Sequence, residues 1–112
     1  MIIIAFAPKS SQILPNIFCR KFKHCAVIVR NKSGCIMYQF VSVHNIKQIK
    51  LRPRDIHMLG AHGWRFVYLP CGVQYSFNPY AAWTCVDMAK RAIGIHAPFI
   101  QTPYALYKKI NL

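Results

Sequence analysis

Two periodicities divide this chain, a run-and-alternation pattern suited to strands in the first two thirds and a helical spacing in the last third. Met1 to Ala7 is a continuous apolar run closed by Pro8, which predicts a strand. Lys23 to Arg30 is rich in β-branched residues and predicts a second strand. Asn31 to Gly34 has turn chemistry, and Cys35 to Val43 then reads as the return strand of a hairpin. Ile49 and Leu51 alternate with Lys50 and Arg52, which predicts a strand with one solvated basic face. Pro53 to His62 carries a short helix with Pro53 at its first position and Gly60 and Gly63 as breakers. Trp64 to Leu69 is a further strand ended by Pro70, and Asn78-Pro79 is a turn.

The helical spacing is clearest where Ala82, Cys85, Val86, Ala89, Ala92 and Ile93 recur on one face. Thr84 stands as N-cap and Asp87 as its N3 partner, the capping-box pattern, with Trp83 and Met88 at the positions of a hydrophobic staple. Gly94 ends the helix. Thr102 and Pro103 open a last short helix as N-cap and N1, and its Tyr104 and Tyr107 read as packing residues. The elements together predict an α+β domain in which an antiparallel sheet packs against the helix that carries Cys85.

That helix brings in chemistry. A thiol in a first helical turn feels the positive end of the macrodipole and ionises more easily, although a lone cysteine on an apolar face is more often packing. A nucleophile needs a base. If Arg30 pairs with Cys35 in the hairpin, Ala26 faces Gln39 and His24 faces Val41. His24 and Gln39 then become diagonal neighbours on one face, an imidazole with a polar side chain to orient it. His96 is a second candidate base, but it lies beyond the far end of the Cys85 helix, roughly 16 Å along the axis.

Lys23-His24-Cys25, Thr84-Cys85-Val86-Asp87, Arg91 to Ile95 and Thr102-Pro103-Tyr104-Ala105-Leu106-Tyr107 occur in that order. The arrangement resembles the permuted papain-like cysteine peptidases, a group that includes lecithin retinol acyltransferase-like and bacterial cell-wall endopeptidase-like branches. It is most similar to small bacterial and phage-encoded members with a Lys-His-Cys, Thr-Cys-Val and Thr-Pro-Trp-x-Leu-Tyr pattern, with Tyr104 in place of the Trp. The likeness runs from Phe22 to the C-terminus and leaves residues 1–21 outside as an N-terminal extension of a single domain, 1–112. The resemblance implies Cys85 as nucleophile, His24 as base and Gln39 as the residue that orients the ring. An acidic residue is expected near Gln39 in relatives, so this chain departs from the pattern there. A neutral amide holds an imidazole's orientation without stabilising its charged form as a carboxylate does.

Composition narrows the rest. A hydrophobic fraction of 54% is ample for a core, and no apolar run approaches the roughly 18 residues of a membrane helix. The first residues lack a basic region before the apolar run and a small-residue cleavage site after it, so they are not read as a signal peptide. Five cysteines, an odd number at Cys19, Cys25, Cys35, Cys71 and Cys85, do not form a disulfide framework, and a reducing compartment or a virion is the simpler address. No C-x-x-C pair accompanies the histidines, so no metal or cofactor is expected.

Fifteen Lys and Arg stand against two acids, for a formal charge of +13. Arg20, Lys21 and Lys23 form one basic stretch and Lys47, Lys50, Arg52 and Arg54 another, and such a surface attracts polyanions. Two readings follow. One is a cysteine amidase or peptidase acting by thiolate acyl transfer on a peptide or peptidoglycan stem amide, as a phage virion or tail component. The other is a weak or inactive basic module that binds an acidic neighbour in a phage assembly. Nucleic-acid binding rests on charge alone, without a helix-turn-helix or aromatic platform.

Overall fold

The computed structural model describes residues 1–8, 24–32, 34–70, 77–95 and 97–111. Five strands form one antiparallel sheet: β1 (Ile2–Ala7), β2 (His24–Asn31), β3 (Gly34–Ser42), β4 (Asn45–Leu51) and β5 (Arg65–Leu69), in the order β4-β3-β2-β1-β5. The three α-helices among the described residues are α1 (Pro53–Ala61), α2 (Cys85–Ile93) and α3 (Pro103–Ile110). The fold is α+β.

Pleat alternation sorts the apolar residues into two cores. Ile2, Ile4 and Phe6 of β1 join Cys25 and Val27 of β2 and Phe40 of β3 on one face, where Val86, Met88, Ala89 and Ala92 of α2 and Leu106 of α3 cover them. Ile3, Ala5, Ala26, Ile28, Cys35 and Met37 face the other way, against Ile56 and Leu59 of α1. The sheet is therefore a middle layer. The interior strand β1 is buried at every position, because it is covered on both faces and flanked by β2 and β5. The segment left outside the resemblance thus supplies an interior strand of the sheet.

The β2–β3 hairpin has the expected register, with Arg30 opposite Cys35 and Val27 opposite Tyr38. Cys25 and Cys35 accordingly lie in different cores. The pairing of β3 with β4 slips between Phe40 and Ser42, a bulge at Val41. The following turn holds His44 at φ 63°, a left-handed conformation uncommon for a residue with a Cβ.

The basic stretch departs from the expectation of one solvated strand face. Lys47 and Lys50 are three residues apart on the edge strand β4 and so point to opposite faces. The strand ends at Leu51; Arg52 is the N-cap of α1, its N–H donating to Asp55 Oδ2 at 2.8 Å, and Arg54 lies within that helix. Alternation stops where Pro53 starts the helix, so these four cations are spread around an edge rather than gathered on a plane. Arg20, Lys21 and Lys23 lie outside the described residues.

Candidate functional site

Cys85 is the first residue of α2, and local sequence puts it there. The Asp87 N–H donates to Thr84 Oγ1 at 2.9 Å, the cap expected of a threonine at this position. The reciprocal arm lands one residue early: Asp87 Oδ2 accepts from the Trp83 N–H at 3.0 Å rather than from Thr84. The expected staple does not form. Met88 is wholly buried in the core, whereas Trp83 is 67% exposed and turns toward His44, with ring centroids 6.4 Å apart. Gly94 closes the helix in the left-handed conformation, at φ 77°.

The half-buried Cys85 thiol packs on the α2 face of the sheet, where it meets the first two residues of β2. Cys25, wholly buried, lies against it with its side chain and its backbone. The His24 ring lies near it as well, close enough to shift its ionisation. These contacts set the electrostatics. The Cys25 side chain does most to hold the Cys85 thiol well below the ordinary thiol range; burial opposes this, and the neighbouring His24 reinforces it. Burial of the His24 ring disfavours its cation. The neighbouring Cys85, with help from Gln39, outweighs that burial and raises His24 above the ordinary 6.5. Each partner favours the other's charged form.

Gln39 stands on β3 beside the ring, close enough to favour its cation. Yet His24 Nε2 and Gln39 Oε1 are both buried, and neither completes a well-formed hydrogen bond among the described residues. They are the two such side-chain atoms found there. A pair of unspent polar atoms costs stability, and such atoms concentrate where chemistry tightens geometry later.

Cys85, His24 and Gln39 are therefore brought together, while Lys47, Lys50, Arg52 and Arg54 lie along the edge strand and the start of α1. His96, Cys19 and Cys71 fall outside the described residues. Sequence reasoning missed Cys25 as a partner of the thiol. The signal was its place next to His24, but which helix residue it would touch depends on a contact sixty residues away in the chain. Among the described residues no group of three His, Cys, Asp or Glu is placed to hold a metal ion, and no helix is long and apolar enough to cross a membrane.

No family model matches this chain, and neither does any curated protein or solved structure. The site is read from its own geometry. A thiol whose pKa is lowered, an imidazole beside it that can give and take a proton, and a helix N-terminus are the equipment for attack on a carbonyl.

Proposed function

We propose that the protein is a cysteine-dependent amidase or peptidase of the permuted papain-like kind, acting by acyl transfer on a peptide or peptidoglycan stem amide. The observation that carries this reading is the mutual contact of Cys85 and His24 at the mouth of a helix. The Cys85 thiolate attacks the amide carbonyl. As the first residue of α2, Cys85 has a backbone N–H with no intrahelical acceptor, and this N–H stabilises the developing oxyanion. The His24 imidazolium gives its proton to the leaving amine, which departs and leaves a thioester. Neutral His24 then takes a proton from water as the water attacks the thioester; the acid leaves and the thiolate returns. Gln39 keeps the ring in place through the cycle. The test is turnover of a peptide amide and of purified peptidoglycan stem peptides. Hydrolysis by the native chain that is lost in both Cys85→Ala and His24→Ala supports the reading; equal hydrolysis by Cys85→Ala refutes it.

A second reading is favoured by a specific observation, the neutral Gln39 where a carboxylate is expected, together with the charge of +13. On it the domain is a basic module that binds an acidic neighbour in a phage assembly, with weak or no turnover. Lys50→Glu combined with Arg52→Glu then blocks incorporation into that assembly and leaves the fold intact by circular dichroism. Incorporation at the native level by this double variant excludes the second reading.

A further inference from the structure

The exposed apolar side chains of this protein are unevenly placed. Eight large hydrophobic residues are exposed among the described residues, and four of them, Val41, Val43, Tyr80 and Trp83, belong to two segments that touch each other. One segment is the end of β3 with the β3–β4 turn, Val41 to His44, which begins two residues past Gln39. The other is the short stretch that leads into α2 and ends at Cys85. His44 ties them together. Its Nδ1–H donates to the Tyr80 carbonyl at 2.9 Å, and its ring lies beside Trp83. Gln48 adds a second tie, donating through Nε2 to the Tyr80 hydroxyl at 3.1 Å.

This construction is costly for a mere surface. His44 holds a left-handed backbone, a conformation disfavoured for any residue with a Cβ, and β3 bulges at Val41 just before it. Trp83 occupies the position where a staple with Met88 would have buried it, and it is presented to solvent instead. Its backbone is fixed by the bond to Asp87, so the indole stands two residues before the thiol on a rigid support. Clustered exposed apolar residues mark binding surfaces, whereas single ones need no explanation. No Asp or Glu lies in either segment, and Asp87, which accepts from the Trp83 N–H, is already paired with Arg91 at 3.2 Å.

We infer that Trp83, Tyr80 and the Val41–His44 turn form the substrate platform of the Cys85 site, and that they select an amide or ester whose acyl part bears an aromatic or branched apolar side chain next to the scissile carbonyl. The inference rests on the thiol-hydrolase reading and adds the substrate class to it. Continuity with the Cys85 helix decides the occupant: Trp83 stands two residues before Cys85, so the acyl side chain beside the scissile carbonyl is the part of a substrate it would meet, and proximity to the nucleophile supplies rate as well as affinity.

The probes are the 4-nitrophenyl esters of N-acetyl-phenylalanine, N-acetyl-leucine and N-acetyl-glycine, whose good leaving group reveals even weak acyl transfer. The native chain is expected to favour the phenylalanine and leucine esters over the glycine ester by about tenfold or more in kcat/KM, after subtraction of Cys85→Ala turnover. Trp83→Ala is expected to reduce that preference to about threefold or less, chiefly through KM for the apolar esters. Met58→Ala, an exposed apolar residue of α1, is expected to keep the native preference. Cys85-dependent turnover with no apolar preference, or a preference that survives Trp83→Ala, overturns the platform and leaves the thiol-hydrolase reading standing. Turnover of all three esters that is undiminished in Cys85→Ala overturns both.

Discussion

His24 Nε2 and Gln39 Oε1 are buried beside each other's side chains, and neither is satisfied. A ring nitrogen and an amide oxygen in this relation act as positioning partners whose bond is left unfinished. A carboxylate at position 39 would add a full opposite charge, which raises a histidine pKa by about one unit or more. Gln39→Glu is therefore expected to move the alkaline limb of the pH–rate profile upward by about one unit. An unchanged limb would show that Gln39 does not face the titrating ring.

The pH dependence of the native chain follows from the same pair. Below the depressed pKa of Cys85 the thiol is protonated and unreactive; above the raised pKa of His24 the proton needed by the leaving amine is gone. Activity is expected to be bell-shaped, with its acidic limb well below the ordinary thiol range and its alkaline limb above 6.5. The two limbs belong to the coupled pair. A single rise centred near a free thiol's ~8.5 contradicts the ion pair.

Cys25 contributes most to holding the Cys85 thiolate. Cys25→Ala removes the side-chain donor and keeps the backbone N–H, so the pH midpoint for alkylation of Cys85 is expected to rise. Cys25→Ser restores a donor and is expected to bring the midpoint back toward the native value. Equal midpoints in all three chains would assign Cys25 to packing alone.

Lys90 is a buried cation of α2, 8% exposed, whose Nζ donates to the carbonyls of Ala97 at 3.0 Å and Ile100 at 2.9 Å. It clamps the connection between α2 and α3. Lys90→Met keeps the bulk but leaves both carbonyls without this donor, at a cost on the order of 3 kcal/mol. Urea unfolding measures the loss, and a change under about 0.5 kcal/mol would mean that the carbonyls find other donors.

The capping threonines act more locally. Thr84→Ala is expected to lower stability by about 1 kcal/mol, and Thr84→Ser by far less, because the serine hydroxyl accepts the Asp87 N–H in the same way. The two variants are compared by thermal unfolding, and equal losses would mean that the cap hydrogen bond contributes nothing measurable.

What could be read from sequence was what short-range chemistry decides. The two-residue-scale turn at Asn31–Gly34 sets the hairpin register, so the partners of β2 were legible as far as Arg30 and Cys35. Thr84 and Thr102 announce their helices because a cap acts within one turn. Sheet order was not legible: β1 lies between β2 and β5, and only the closure of long loops decides that. Trp83 and Met88 looked like a staple because their spacing fits one, but the core had room for Met88 and the indole was left outside. The burial of Lys90 was not legible, because its two acceptors come from a loop that only tertiary structure brings back. Lys50 and Arg52 looked like one face because alternation was extended past the residue where Pro53 ends it.

The central claim is that Cys85 is held as a thiolate by His24 and Cys25. Competitive alkylation by iodoacetamide at about pH 6.5, below the ~8.5 of a free thiol, with each cysteine quantified by peptide mapping, tests it most directly. The account predicts that Cys85 labels fastest of the five cysteines and that His24→Ala slows it by about tenfold or more. Labelling of Cys85 no faster than the others, or unaffected by His24→Ala, would contradict it.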